Sequence, residues 1–204
     1  MSTPDPATLL HVEALRSAHL PTVSFTLSPG ECVSLGGPSG VGKSVLLRAL
    51  ADLDPNDGEI VLAGEPRGGI KAHEWRRRVG LLPAEPAWWA ETVGEHFAVD
   101  LESLAALGLP AETPGWNVSR LSTGERQRLA LLRLLSQRPR VLLLDEPTAN
   151  LDDENTERAE RLIAGYLRDH GAAALWVSHD QEQRERVGHR ELRLTADGLQ
   201  AVRP

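Results

Sequence analysis

The chain of 204 residues predicts an α/β fold with a central parallel sheet, and three stretches predict it. The first is a short apolar strand, Glu31 to Leu35, running into the loop G-P-S-G-V-G-K-S at Gly37 to Ser44 and then into a helix over Val45 to Ala51. A strand, a glycine-rich turn and a helix in that order make a phosphate-binding junction. The second is Val141 to Leu144, a continuous apolar run suited to a strand covered on both faces, which ends in Asp145-Glu146. The third is alternation. Helical patterns at Thr123 to Ser136 and Glu154 to His170 each lead into an apolar strand, Val141 to Leu144 and Ala172 to Val177, which is the order of a parallel sheet.

Taken along the chain, the first ten residues read as a loose lead-in. Leu9 to Val12, Val23 to Leu27 and Ile60 to Ala63 read as short strands separated by the turn signals Ser28-Pro29-Gly30 and Asn56-Asp57-Gly58, an antiparallel piece flanking the core. In the loop between them, Gly37, Gly40 and Gly42 let the backbone curl until successive N–H groups point inward at nucleotide phosphates. Pro38, Ser39 and Val41 complete that cradle, and Val45 opens the helix whose dipole favours an anion. Lys43 is placed to reach the β- and γ-phosphates, and Ser44 to offer its hydroxyl to Mg²⁺.

Arg76-Arg77-Arg78 precedes a strand at Val79 to Leu82 and reads as a solvated helix end. Between Pro86 and Ser119 lies a helix-prone insert punctuated by Pro110 and Pro114. At the carboxyl end of a central strand, Asp145 is placed to hold Mg²⁺, and Glu146 to polarise the water that attacks the γ-phosphate. The expected organisation is a P-loop NTPase core in a single domain. Residues 8–83 and 137–204 form the core with an N-terminal antiparallel β subdomain, and residues 86–136 a short helical subdomain.

Composition narrows the function further. A formal net charge of −7 argues against a large nucleic-acid footprint, which would need a basic face. Cys32 is the single cysteine, so no intramolecular disulfide forms, and it reads as a small core residue. No signal peptide is apparent and no apolar stretch approaches the ~20 residues needed to cross a bilayer. The expected location is cytosolic, with any membrane-spanning part on another polypeptide.

Four further stretches fall in a fixed order around the phosphate loop and the acidic strand. Leu121-Ser122-Thr123-Gly124-Glu125-Arg126-Gln127-Arg128 resembles the signature sequence of ATP-binding cassette (ABC) ATPases. Asn150-Leu151-Asp152 resembles their D-loop, Ser178-His179-Asp180 their switch histidine, and Val79 to Pro86 the strand leading into their Q-loop. On its own residues, the signature opens a helix, and Ser122 with the N–H groups around Gly124 forms a second anion site.

The resemblance implies ATP as substrate, Mg²⁺ as cofactor and hydrolysis to ADP and phosphate. It implies a head-to-tail dimer in which Ser122 and Gly124 of each subunit close over the γ-phosphate held by the other, with Asp152 near the seam. It implies contact of His179 with the γ-phosphate and help in holding the attacking water near Glu146. Three departures stand out. Ala84 occupies the usual Q-loop Gln, with Glu85 as the nearest substitute. The first aromatic is Phe25, inside an expected strand, so that either His19 stacks on adenine or affinity rests on the phosphates. The signature reads Thr123 and Glu125 where Gly and Gln are common.

The resemblance further implies a transporter subunit, peripheral on the cytoplasmic face of the membrane, that pairs with an integral-membrane permease and with a second cassette, most simply its own copy. The alternative is a soluble cassette in nucleic-acid maintenance or translation. A single phosphate loop and the short stretch between Ser44 and Leu121 disfavour it, as does acidity. The compact length and the run Ala174 to Asp180 resemble the small ATPases of iron-export-type permease pairs, without naming the cargo. The adjacent Trp88 and Trp89, in a chain with only 4% aromatics, include a candidate anchor for a permease helix.

Overall fold

The computed structural model describes residues 8–203. In order they form β1 (Leu10–Ser17), β2 (Leu20–Leu27), β3 (Cys32–Gly36), α1 (Lys43–Leu50), β4 (Asn56–Leu62), β5 (Glu65–Pro66), α2 (Ala72–Arg78), β6 (Val79–Leu82) and α3 (Leu101–Ala106). There follow α4 (Thr123–Ser136), β7 (Val141–Asp145), α5 (Asp153–His170), β8 (Ala173–Val177), α6 (Gln181–Val187), β9 (Arg190–Thr195) and β10 (Gly198–Arg203). The expected lead-in falls mostly on residues 1–7, outside those described.

A six-stranded sheet in the order β10-β9-β3-β8-β7-β6 forms the centre, parallel except where β10 returns against β9. Every residue of β7 and β8 is buried, which is why both strands are apolar on both faces. Their period of two sorts the side chains. Val141, Leu143, Leu175 and Val177 join Leu46, Leu47 and Leu50 of α1 in one core. Leu142, Leu144, Ala174 and Trp176 join Leu129 and Leu132 of α4 and Ile163 and Leu167 of α5 in the other.

The expected antiparallel piece is a second sheet, β2-β1-β4-β5, whose Val12, Leu15, Phe25 and Ile60 cover the first core. One boundary differs from expectation. Asn56-Asp57-Gly58 does not turn but opens β4. Gly58 has φ 111, a Cβ there would stand 2.6 Å from Ala14 O, and the β1–β4 register shifts between Glu13 and Arg16. The glycine therefore marks a bulge with close backbone approach, a role that shares its sequence signal with a turn.

The insert also departs from its helix-prone reading. Residues 86–119 hold one α-helix, the six-residue α3, and short 3₁₀ turns at Val93–Glu95, Thr113–Gly115 and Val118–Arg120. Gly94 in the first turn, and Pro114 and Gly115 in the second, disfavour propagation into longer helices. Val93, Leu104, Leu107 and Val118 nevertheless bury themselves in the core that α4 shares. The arginine run ends α2 as expected, with Arg76 donating to Asp52 O at 2.8 Å and Arg78 to Glu65 Oε2 at 2.7 Å.

Candidate active site

Parallel strands bring their carboxyl ends to one edge of the sheet, and loops leaving that edge build the site. The loop after β3 carries Gly37, Gly40 and Gly42 at φ 140, 75 and 107, a left-handed path open to glycine. At Gly37 space forbids a side chain as well, since a Cβ would lie 2.5 Å from Leu194 O. Gly42 is the N-cap of α1, so the helix's free N–H groups open onto the loop. Val41 packs its side chain on the core. Lys43 is 7% exposed, and its ammonium donates to Gly37 O at 2.8 Å and Pro38 O at 3.0 Å.

A cavity of about 390 Å³ opens beside this loop, lined by Ser39, Gly40, Gly42, Lys43, Ser44, Val45, Ala84, Asp145, Glu146, Val177 and His179. β7 delivers Asp145 as its last residue. Glu146 follows in the left-handed region at φ 50, a strained placement for a side-chain residue, and its N–H donates to Val177 O at 3.1 Å. His179 Nε2 stands 3.5 Å from Glu146 Oε1.

Burial pushes the Glu146 carboxyl above the ordinary carboxylate range; His179 opposes this and Asp145 adds to it. Burial also lowers the Lys43 ammonium, partly offset by Glu146 and Asp145. Glu146 Oε1 is buried without a hydrogen-bond partner. An acceptor of that kind on the wall of a polar cavity suits a water molecule. The donor set fits the nucleotide: an ammonium and helix-terminal amides for phosphate, and the hydroxyl of Ser44 with the carboxylate of Asp145 as hard oxygen ligands for Mg²⁺. Among the described residues no cluster of three or more His, Cys, Asp or Glu could hold a metal alone, so phosphate and water oxygens would complete its shell.

Ser122, Gly124 and Asp152 do not line this cavity. They stand at the starts of α4 and α5. Ser122 caps α4, accepting from Glu125 N at 3.2 Å, while Glu125 Oε2 accepts from both the N–H and the hydroxyl of Ser122 at 2.8 Å. Gly124 packs against the D-loop, where a Cβ would meet Asn150 O at 3.0 Å. Asp152 caps α5, accepting from Asn155 N at 2.8 Å. The engagement of Ser122 by Glu125 was missed in the sequence, although its signal, a capping box S-x-x-E, was in plain view.

The departures resolve unevenly. Ala84 lines the cavity, whereas Glu85 is exposed and does not line it. His19, at φ 64, shares a neighbouring pocket with Arg16, Val45, Asp54 and Asn56. Trp88 is half-buried against the second core and Trp89 is 72% exposed. The Arg133 guanidinium lies 4.6 Å and 4.8 Å from their ring centroids.

The family model described as "ABC transporter" matches residues 20–149. The chain belongs to the ABC transporter ATPase family. Relatives within it support the assignment. The probable iron export ATP-binding protein FetA of Escherichia coli is 34% identical over 80% of this chain and 79% of its own length. The aliphatic sulfonates import ATP-binding protein SsuB 1 of Rhodococcus jostii is 37% identical over 87% of this chain and 73% of its own.

Two solved structures share the fold. The structure of an ATP-binding subunit of an ABC transporter superposes with TM-score 0.83 at 22% identity, covering 96% of this chain and 90% of that one. A bacterial Atm1-family ABC exporter with ATP bound gives 0.81 at 21%, covering 98% of this chain and 39% of that one. As an ABC ATPase the chain binds and hydrolyses ATP, and it is an ATP-binding subunit of a transporter. Among the described residues, no helix of this ABC ATPase is long and apolar enough to cross a membrane.

Proposed function

We propose that this ABC ATPase powers a separate integral-membrane permease from the cytoplasmic face, by ATP-driven head-to-tail dimerisation followed by hydrolysis at the cavity beside the phosphate loop. The observation that carries the reading is the convergence of Lys43, Ser44, Asp145, Glu146 and His179 on that one cavity. The loop N–H groups and Lys43 hold the phosphates, and Ser44 and Asp145 would hold Mg²⁺, which would supply positive charge against the negative charge developing on the transferred phosphate. Glu146 takes the proton of the attacking water at its unpartnered Oε1, as the water oxygen bonds to the γ-phosphorus and ADP departs with the bridging oxygen. Its raised proton affinity brings it nearer the working pH, where a general base is most effective. His179 contacts the γ-phosphate and helps hold the attacking water near Glu146.

The same reading takes Ser122 and Gly124 as the cap that a partner subunit, most simply a second copy, places over the γ-phosphate. Similarity to an iron export ATPase supports metal-ion export as a cargo class, and similarity to a sulfonate importer supports import equally. The Glu146→Gln variant tests the chemistry. Gln keeps the shape and removes the proton acceptor, so ATP binding is retained, steady-state turnover falls by ~10²- to 10⁴-fold, and a dimer accumulates in Mg-ATP on sizing chromatography. Near-normal turnover would remove Glu146 from the role of base.

A further inference from the structure

β9 carries a glutamate into the protein interior. The side chains of Glu191 and its partner Arg184 on α6 are 7% and 8% exposed, and Arg184 Nε lies 3.1 Å from Glu191 Oε1. A buried ion pair is costly to desolvate and rarely more stable than two apolar side chains in the same space. Its geometry suggests another use. The other arm of the guanidinium, Nη1, donates to Ser178 O at 2.9 Å, and the Arg184 N–H closes on Asp180 O at 3.1 Å.

Ser178 O belongs to the same planar peptide unit as the His179 N–H, and no peptide bond among the described residues is cis. In a trans unit the carbonyl and the N–H point in opposite directions, so holding the oxygen on one side aims the N–H on the other. That N–H faces the Glu146 carboxyl group and favours its charged form. The imidazole follows from the same residue, with Nε2 3.5 Å from Glu146 Oε1. The pair also abuts the start of the phosphate loop, since a Cβ on Gly36 would lie 3.0 Å from Glu191 Oε1 and 3.1 Å from Arg184 Nε.

We propose that Arg184, anchored by Glu191, is a positioning residue that holds the Ser178–His179 peptide unit and thereby sets His179 against Glu146 for hydrolysis. Arginine suits the task because its rigid fork serves the carboxylate and the carbonyl at once, which a single ammonium cannot do. The inference rests on the roles of Glu146 and His179 proposed above.

Two variants test it, with Glu146→Gln run alongside. Arg184→Met/Glu191→Leu replaces the pair with apolar side chains of similar volume and leaves no charge unpaired. Arg184→Lys keeps the charge opposite Glu191 and loses the fork. In both, kcat for ATP falls ~10- to 100-fold, the usual cost of a small misplacement at a reacting centre, while KM stays within about twofold because the phosphate loop is intact. Thermal melting monitors the fold, and if the double variant melts below the assay temperature Arg184→Lys alone decides. Wild-type kcat in the folded variants overturns the proposal, as does a rise in KM at constant kcat, which would make the pair a support for the phosphate loop. If Glu146→Gln itself turns over normally, the catalytic reading fails rather than the assignment of Arg184.

Discussion

Cys32 opens β3 with its thiol in the core shared by Leu142 and Trp176, and burial pushes that thiol from 9.0 up to about 12, with Glu31 adding to the shift. A raised value means that the folded state favours the neutral thiol. The associated stability is present below the unfolded value of 9.0 and lost as pH climbs through the folded value near 12. At pH 9.0, where an ordinary thiol is half ionised, the native protein should therefore resist a small alkylating reagent that labels the denaturant-unfolded chain at once. Mass spectrometry of both samples checks this, and rapid labelling of the native sample would contradict the burial argument. The core role of Cys32 was legible because a lone cysteine inside an apolar strand has few other uses. The nearness of His179 to Glu146 was legible only through the family resemblance, since residue spacing alone does not give the register that sets Asp145 opposite Val177 across β7 and β8.

The α4 helix begins and ends where its leucine spacing and the Ser122 cap predict, at Thr123 and Ser136. β7 and β8 likewise follow from unbroken apolar runs, a pattern that full burial makes obligatory. β9 was missed for the converse reason: its apolar alternation is short, at Leu192 and Leu194, and its other face buries a glutamate that Arg184, on another element, makes tolerable. At the start of α4 the structure adds a consequence of its own. The Glu125 carboxylate holds the N–H and hydroxyl of Ser122, the groups proposed to meet a partner's γ-phosphate. Gln at this position preserves the capping box and removes a like charge. Glu125→Gln, in the Glu146→Gln background that accumulates dimer, should shift dimerisation to roughly fivefold lower Mg-ATP, the effect of about 1 kcal/mol at a helix N-terminus. Light scattering across an ATP titration measures it. A shift to higher ATP would mean that Glu125 does not face the phosphate. A substitution at Gly124 is a poorer probe, because any Cβ there meets Asn150 O at 3.0 Å and disturbs the packing of the subunit itself.

Over the whole molecule, a chain with net charge −7 exposes few large apolar side chains, and the most exposed tryptophan is Trp89, at 72%. Its neighbour Trp88 turns into the insert's core, as adjacent positions on a chain facing opposite ways would have it. Trp89 is nonetheless held in place. Its ring centroid lies 4.7 Å from that of His96, Arg133 stands 4.8 Å from its centroid, and His96 Nε2 accepts from the Trp89 N–H at 3.0 Å. A pre-positioned, solvent-facing indole loses little freedom on contact, which is the property that makes tryptophan an effective anchor in a groove. The sequence could place two tryptophans here but could not say which faced out, since that depends on how the 3₁₀ turns of the insert close against α4. The proposed permease is therefore expected to dock on Trp89. Trp89→Ala should leave the melting temperature and ATP binding near wild type, because an exposed ring contributes little to the fold, and should weaken assembly with the permease by about 2 kcal/mol or more. Trp88→Ala should instead lower the melting temperature, since it leaves a cavity in the insert. Pull-down of each variant with the detergent-solubilised permease separates the two, and undiminished capture by a folded Trp89→Ala protein would move the docking surface elsewhere.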